Sequence, residues 1–215
     1  MKLTVHTLTY NPFQENMYIV SNDAKECVII DPGCYSSEEK ADLKNFIEEQ
    51  NLKVLALLNT HCHLDHVFGN AFVKREYNVP FYMHELDIPT LNNMPIAASM
   101  YGFEGYELSP EADFYITDLE EISFGGINFT VIFGPGHAPG HVAFYNFENE
   151  ILLGGDILFK GSFGRVDLPG GDMETLKRTI HERMFTLPEN TIVYPGHGPT
   201  TTIGVEKRTN YILQF

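Results

Sequence analysis

The sequence predicts an α/β fold of two packed sheets with helices on their outer faces. Three observations predict it. Short apolar strand segments fall into two groups, one in the first 84 residues and one between residues 121 and 194. Helix-like stretches accompany each group. Val54–Leu58 is continuously apolar, as a strand covered on both faces is. At 215 residues the chain can bury one sizeable core, and residues 1–215 read as a single domain.

The elements follow in order. Met1–Thr9 alternates apolar and polar residues, the pattern of a half-buried strand. Met17–Val20 and Cys27–Ile30 read as two more strands around the turn-prone Ser21-Asn22-Asp23. Ser36 opens a helix with acids in its first turn, running to about Gln50 with Leu43, Phe46 and Ile47 as its apolar face. Val54–Leu58 leads directly into Thr60–His66. A weaker helix is expected around Gly69–Tyr77, then a short strand at Phe81–His84. Thr90–Asp113 has no clear period and reads as an irregular segment, either a binding loop or an excursion packed down by its own aromatics. Glu121–Phe124 and Asn128–Phe133 flank Gly125-Gly126, a hairpin signal. Val142–Phe147 and Ile151–Leu153 pair in the same way. Asp172–Met184 reads as a helix, Thr191–Tyr194 as the last strand and Val205–Leu213 as a terminal helix.

Charge narrows the function. Fourteen basic against 29 acidic residues leave a net charge of −15, which repels phosphate backbones and anionic membrane surfaces. Neither nucleic acid nor membrane is an expected partner; a small molecule is. No apolar run approaches the roughly 18–20 residues of a membrane span. The opening stretch lacks the continuous apolar run of a secretory signal. The three cysteines, Cys27, Cys34 and Cys62, form no disulfide pattern. A cytoplasmic location with reduced thiols is expected.

The strongest chemical signal is Thr60-His61-Cys62-His63-Leu64-Asp65-His66, with four metal-competent side chains in six residues. Three unpaired imidazoles would be poorly tolerated directly after a buried strand. A polar surface loop is the competing explanation, and the density of ligands argues against it. Three more candidates stand at strand ends beside Gly or Pro: His137, Asp156 and His197. Five histidines and two aspartates exceed one tetrahedral zinc. They fit two cations about 3.5–4 Å apart that share a carboxylate, a site suited to hydrolysis.

These residues carry a family resemblance. Pro135-Gly136-His137-Ala138-Pro139-Gly140-His141 and Gly155-Asp156-Ile157-Leu158-Phe159 resemble the metallo-β-lactamase superfamily, in particular its glyoxalase II branch of hydroxyacylglutathione hydrolases. Gly161–Asp172 and Pro195-Gly196-His197-Gly198-Pro199-Thr200 resemble compact members of that branch. The resemblance implies a four-layer αββα sandwich with the metals at one edge. It implies His61, His63 and His137 on the first metal, Asp65, His66 and His197 on the second, and Asp156 bridging. His141 matches the motif without touching a metal. The nucleophile would be a metal-bridging hydroxide that Asp65 helps to orient. Zinc is the leading candidate for both ions; iron and manganese accept the same ligands. The expected substrate is S-D-lactoylglutathione or a related hydroxyacyl thioester. Arg165 stands where the family often has a basic residue gripping the glutathione part, or it is a surface residue paired with Asp167 or Asp172. The chain stops at Phe215, so the C-terminal helical extension that helps hold glutathione in such enzymes is expected to be missing.

Two alternatives share the fold. One is a persulfide dioxygenase-type oxidoreductase, its single iron held by His61, His137 and Asp156. The other is a lactone or ester hydrolase. Outside the motifs, Cys62 is expected to point away from the metals as a buried filler, and Cys34 is a candidate exposed thiol. His6, His84 and His181 read as surface or helix-end histidines, Lys160 as a solvated lysine, and Lys207-Arg208 as a helix-terminus charge.

Overall fold

The computed structural model describes residues 2–215; Met1, the first residue of the expected opening strand, lies outside them. The chain opens with a meander of β1 (Leu3–Tyr10), β2 (Glu15–Asn22) and β3 (Glu26–Ile30). Helix α1 (Ser37–Glu49) then crosses to β4 (Lys53–Leu58), which pairs parallel to β3. Ser36 caps α1 through a reciprocal capping box with Glu39, as the Ser-x-x-Glu spacing requires. The single turn α2 (Leu64–Val67) and helix α3 (Asn70–Tyr77) lead to β5 (Phe81–Met83).

The structure corrects the expectation for residues 90–113. Ile88–Tyr101 is a helix, α4. Pro89 in its first turn fits where no N–H partner is needed, and Gly102 closes it in the left-handed region at φ 76°. Pro95 inside the helix and apolar residues on several faces erase the period that would have revealed it. Only the remainder runs irregularly to β6 (Phe114–Tyr115).

The second half supplies β7 (Glu121–Phe124), β8 (Ile127–Phe133), β9 (Val142–Asn146) and β10 (Ile151–Gly155) as antiparallel neighbours. A small hairpin of β11 (Leu158–Phe159) and β12 (Ser162–Phe163) follows. Helix α5 (Met173–Thr179) covers only the first part of the expected 172–184 helix; Ile180–Met184 widens into a π-turn. Next come β13 (Ile192–Pro195), β14 (Thr201–Thr202) and α6 (Ile203–Thr209). The expected terminal helix breaks at Asn210, whose extended backbone lets its side chain cap a separate turn, Tyr211–Gln214.

The strands form two six-stranded sheets, β1 to β6 in order and β14-β13-β10-β9-β8-β7. Side-chain alternation divides each strand between two layers. In β2 and β3, Tyr18, Val20, Val28 and Ile30 face inward onto Phe129, Val131, Phe144 and Leu153 of the second sheet. Met17, Ile19, Cys27 and Ile29 face outward onto Leu43 and Ile47 of α1 and Met94 and Ala98 of α4. On the far side, Leu152 and Val193 pack against Leu176, Ile180 and Ile203. The result is the expected αββα sandwich. Phe129 and Phe144 are almost wholly buried in the central layer, and truncating either to Ala costs about 3–5 kcal/mol.

Candidate metal centre

Four strands end at one edge of the sandwich. β8, β10 and β13 run in the same direction, because β9 reverses between β8 and β10, and β13 lies parallel to β10. Beyond their C-terminal ends lie His137, Asp156 and His197. β4 of the other sheet ends at the same edge and continues into His61-Cys62-His63, with Asp65 and His66 on the turn α2. All seven residues picked out in the sequence meet there.

Two triplets form. The ligand atoms of His61, His63 and His137 lie within 4.8 Å of one another, as do those of Asp65, His66 and His197. Asp156 stands between them. Its Oδ2 is 3.5 Å from His137 Nε2 and 3.5 Å from His197 Nε2, and its Oδ1 is 3.5 Å from His66 Nε2. Asp65 Oδ2 is 3.2 Å from His197 Nε2. His61, His63, His66, His137 and Asp156 are buried, whereas Asp65 and His197 face the opening.

Hydrogen bonds behind the rings set their tautomers. His137 Nδ1 lies 2.6 Å from the Arg165 carbonyl and must donate to it, so its Nε2 carries a lone pair. Thr60 gives its hydroxyl proton to Asp31 Oδ2 at 2.6 Å, so it accepts from His61 Nδ1 at 3.1 Å, leaving a lone pair on His61 Nε2. Those two Nε2 atoms face each other at 3.2 Å, and His63 Nδ1 approaches His137 Nε2 at 2.8 Å. The His61 and His137 lone pairs converging at that distance suit a cation between them. His66 Nδ1 is turned to Asp31 Oδ2 at 3.1 Å, aiming Nε2 into the site. His66 Nε2 and Asp156 Oδ1 are buried without a hydrogen-bond partner. The donor set thus fits divalent metal.

Electrostatics divides the site in the same way. Burial, reinforced by the neighbouring imidazoles of His66, His141, His137 and His63, pushes the His61 pKa well below its ordinary value. Burial lowers His63 to about 3 and His141 far down as well. Burial thus favours the neutral form of all three rings, the form in which His61 and His63 could bind a metal. Burial would also lower His66 and raise Asp156. For His66, Asp65 and Asp156 outweigh it and hold the pKa well above the usual value. For Asp156, His66, His137 and His197 outweigh it and hold the carboxyl far below the usual carboxylate range.

The backbone leaves no slack around these side chains. A Cβ on Gly155, at φ 49°, would sit 2.4 Å from Thr60 Oγ1 and 2.6 Å from His141 Cε1. One on Gly196 would sit 2.1 Å from Asp156 Oδ1.

Two supporting acids escaped the sequence reading. Asp31 accepts from Thr60 N, Thr60 Oγ1 and His66 Nδ1. The signal was available, since Asp31, like Asp156, closely follows an apolar strand. Asp87 is wholly buried and joins two loops of the site. It accepts from Cys62 N at 2.7 Å and from Gly140 N at 2.8 Å. Nothing local marks it.

The remaining expectations divide. Cys62 turns away from the ligands, its Sγ 3.8 Å from Met83 Sδ. Cys34 is fully buried, against the expectation of an exposed thiol, in the outer core of the first sheet beneath Gly69. His84 is buried rather than at the surface, but it does cap a helical turn, through Leu86 N. Lys160 is exposed, and Lys207 and Arg208 sit in the last turn of α6. The Arg165 guanidinium forks onto Asp167, with both contacts at 2.7 Å.

Comparison with known proteins follows the same lines. Residues 10–197 match the family model of the metallo-beta-lactamase superfamily. Hydroxyacylglutathione hydrolase GloC of Haemophilus influenzae is 34% identical over 212 residues, 98% of each chain. The crystal structure of BLEG-1 B3 metallo-beta-lactamase superposes with a TM-score of 0.88 at 36% identity, covering 99% of this chain and 100% of that one. That of TTHA1623 in a di-iron-bound form gives 0.86 at 40% identity, covering 96% and 99%. The chain belongs to the metallo-beta-lactamase superfamily and is a metallo-hydrolase of that fold. Among the described residues no helix is long and apolar enough to cross a membrane.

Proposed function

We propose that this member of the superfamily is a dinuclear hydrolase of the glyoxalase II-like branch, acting on S-D-lactoylglutathione or a related hydroxyacyl thioester. His61, His63 and His137 would hold one zinc ion, Asp65, His66 and His197 the other, with Asp156 shared. The observation that carries this reading is the Asp156 carboxylate, one oxygen of which lies 3.5 Å from a histidine of each triplet. The Haemophilus influenzae relative, a hydroxyacylglutathione hydrolase by name, supports the substrate class.

Paired divalent cations lower the pKa of a water and polarise a carbonyl. The chain's own groups do the rest. Asp65 is a carboxylate facing the opening, held as an anion: burial opposes this, but His66 and the hydrogen bond from His197 outweigh it. It would orient the attacking hydroxide, whose proton has already passed to solvent. The hydroxide oxygen forms the new C–O bond, the C–S bond breaks, and the sulfur leaves as a thiolate. A thiol near pKa 8.5 needs no protonation to depart. His141 fixes Asp156 from behind, accepting from its backbone N–H at 2.9 Å. Arg165 would meet a glutathione carboxylate once released from Asp167.

The test is hydrolysis of S-D-lactoylglutathione by purified protein of known metal content, with and without chelator. Rapid, chelator-sensitive cleavage is expected. Metal-loaded protein that leaves this thioester intact but consumes oxygen with glutathione persulfide would establish the dioxygenase alternative. Cleavage of a lactone or simple ester instead would move the substrate class.

A further inference from the structure

His197 is the most open of the histidine ligands, with 26% of its side chain exposed, and its loop begins where β13 stops. Within its own sheet Gly196 N–H donates to the Gly155 carbonyl at 2.8 Å. Further anchors come from the first sheet. Asn16 and Tyr18 of β2 reach across to the segment Pro195–Gly198 and take its carbonyls one after another. Tyr18 Oη donates to the Pro195 carbonyl at 2.6 Å. Asn16 Nδ2 donates to the same oxygen at 3.1 Å and to the Gly198 carbonyl at 2.8 Å. The Asn16 backbone N–H donates to the Gly196 carbonyl at 2.7 Å. Glu15 and His197 form an isolated antiparallel bridge at the same point.

The Asn16 amide cannot turn over. Its Oδ1 accepts from Thr9 Oγ1 at 2.9 Å, and both protons of its Nδ2 are committed to carbonyls. Asn16 and Tyr18 are both buried, at 5% and 2% exposure, so water does not substitute for these donors. The Tyr18 ring also packs edge-on against Tyr194, 5.6 Å away, which fixes where its hydroxyl points.

We infer that Asn16 and Tyr18 are positioning residues for His197: a clamp between the two sheets that makes the second cation site dependent on the first sheet. This rests on the dinuclear reading. The His61, His63 and His137 triplet has no bond to the clamp; its rings are oriented by Thr60 and Arg165. Loss of the clamp therefore weakens the second metal and spares the first, whereas a general loss of stability would weaken both.

The experiment is stepwise zinc titration against a chromophoric chelator for full-length wild type, His197→Ala, Asn16→Ala and Tyr18→Phe. Wild type is expected to take two zinc ions and His197→Ala one. Asn16→Ala is expected to bind the second zinc roughly 10–100-fold more weakly, the range for lost outer contacts to a ligand, with first-site affinity unchanged. Tyr18→Phe keeps the ring and removes one hydrogen bond, so a roughly 3–10-fold loss at the second site is expected. This milder variant carries the test if Asn16→Ala fails to fold. Wild type holding one zinc, or His197→Ala holding two, overturns the dinuclear reading and the clamp with it. Correct stoichiometry in those two, with second-site affinity unchanged in the clamp variants or both sites weakened equally, overturns the clamp alone.

Discussion

His141 lies flat against His61, their ring centroids 4.6 Å apart and their planes 15° from parallel. The same ring accepts from the Asp156 backbone N–H at 2.9 Å, so it touches a residue of the first triplet and the backbone of the residue that carries the shared carboxylate. His141→Phe keeps the stacking and removes the acceptor. We expect kcat/KM to fall about 10–100-fold, as for lost outer contacts at metal sites. His141→Ala should cost more, because it also frees the His61 ring. Steady-state kinetics on metal-replete protein checks the order of the two.

Asp156 links both triplets, so Asp156→Ala should reduce the content of both metals together. After dialysis against trace zinc, roughly one ion or fewer per chain is expected, with activity near background. Elemental analysis decides it. Retention of full metal content and activity would sink the shared-carboxylate assignment.

Asp31 gathers four donors: Thr60 N, Thr60 Oγ1, Asn59 Nδ2 and His66 Nδ1. Asp31→Ala strands these buried groups and unfixes the His66 tautomer. Two effects are expected: about 1–3 kcal/mol lower stability for each donor left unpaired, and a second metal held roughly 10–100-fold less tightly. Denaturant unfolding and zinc titration measure them separately. A variant that changes stability alone would show that Asp31 supports the strand end and not His66.

That acid shows where sequence and fold part company. His61, His63, Asp65 and His66 were legible because a single strand end delivers them, and density of ligands is a local property. His137, Asp156 and His197 were legible because each follows an apolar strand and stands beside Gly or Pro. Asp31 does its work through the parallel pairing of β3 with β4, which joins residues far apart in sequence. Asp87 depends on the loop that carries Gly140, and Asn16 on a contact 179 residues away, at Pro195. Asp31 carries the same strand-end signal as Asp156, with Pro32 and Gly33 beside it, but its partners, like those of Asp87 and Asn16, leave no period or spacing. Helix α4 stayed hidden for another reason, since Pro95 and its scattered apolar residues give no single face.

All three thiols are buried, and burial pushes Cys27 and Cys34 up to about 12 and Cys62 well above its ordinary value. Native protein should therefore be inert to a thiol-specific chromogenic reagent at neutral pH, because the thiolate is the reactive form. Denatured, reduced protein should release the signal of three thiols. Fast reaction of one thiol in the native state would show that the packing around Cys34 opens.

Arg165 faces two ways. Its carbonyl holds His137, while its guanidinium, 56% exposed, is bound to an Asp167 side chain that is 68% exposed. An exposed ion pair of this kind contributes little to folding. Arg165→Ala keeps the carbonyl, so the unfolding midpoint and metal content should stay where they are. If the guanidinium grips the glutathione carboxylate, that variant should raise KM for S-D-lactoylglutathione roughly tenfold with kcat little changed, the mark of binding shared by ground and transition states. Asp167→Asn should act in the opposite sense, because it releases the guanidinium to the substrate. Equal KM in wild type and both variants would leave Arg165 with its carbonyl as its contribution to the site.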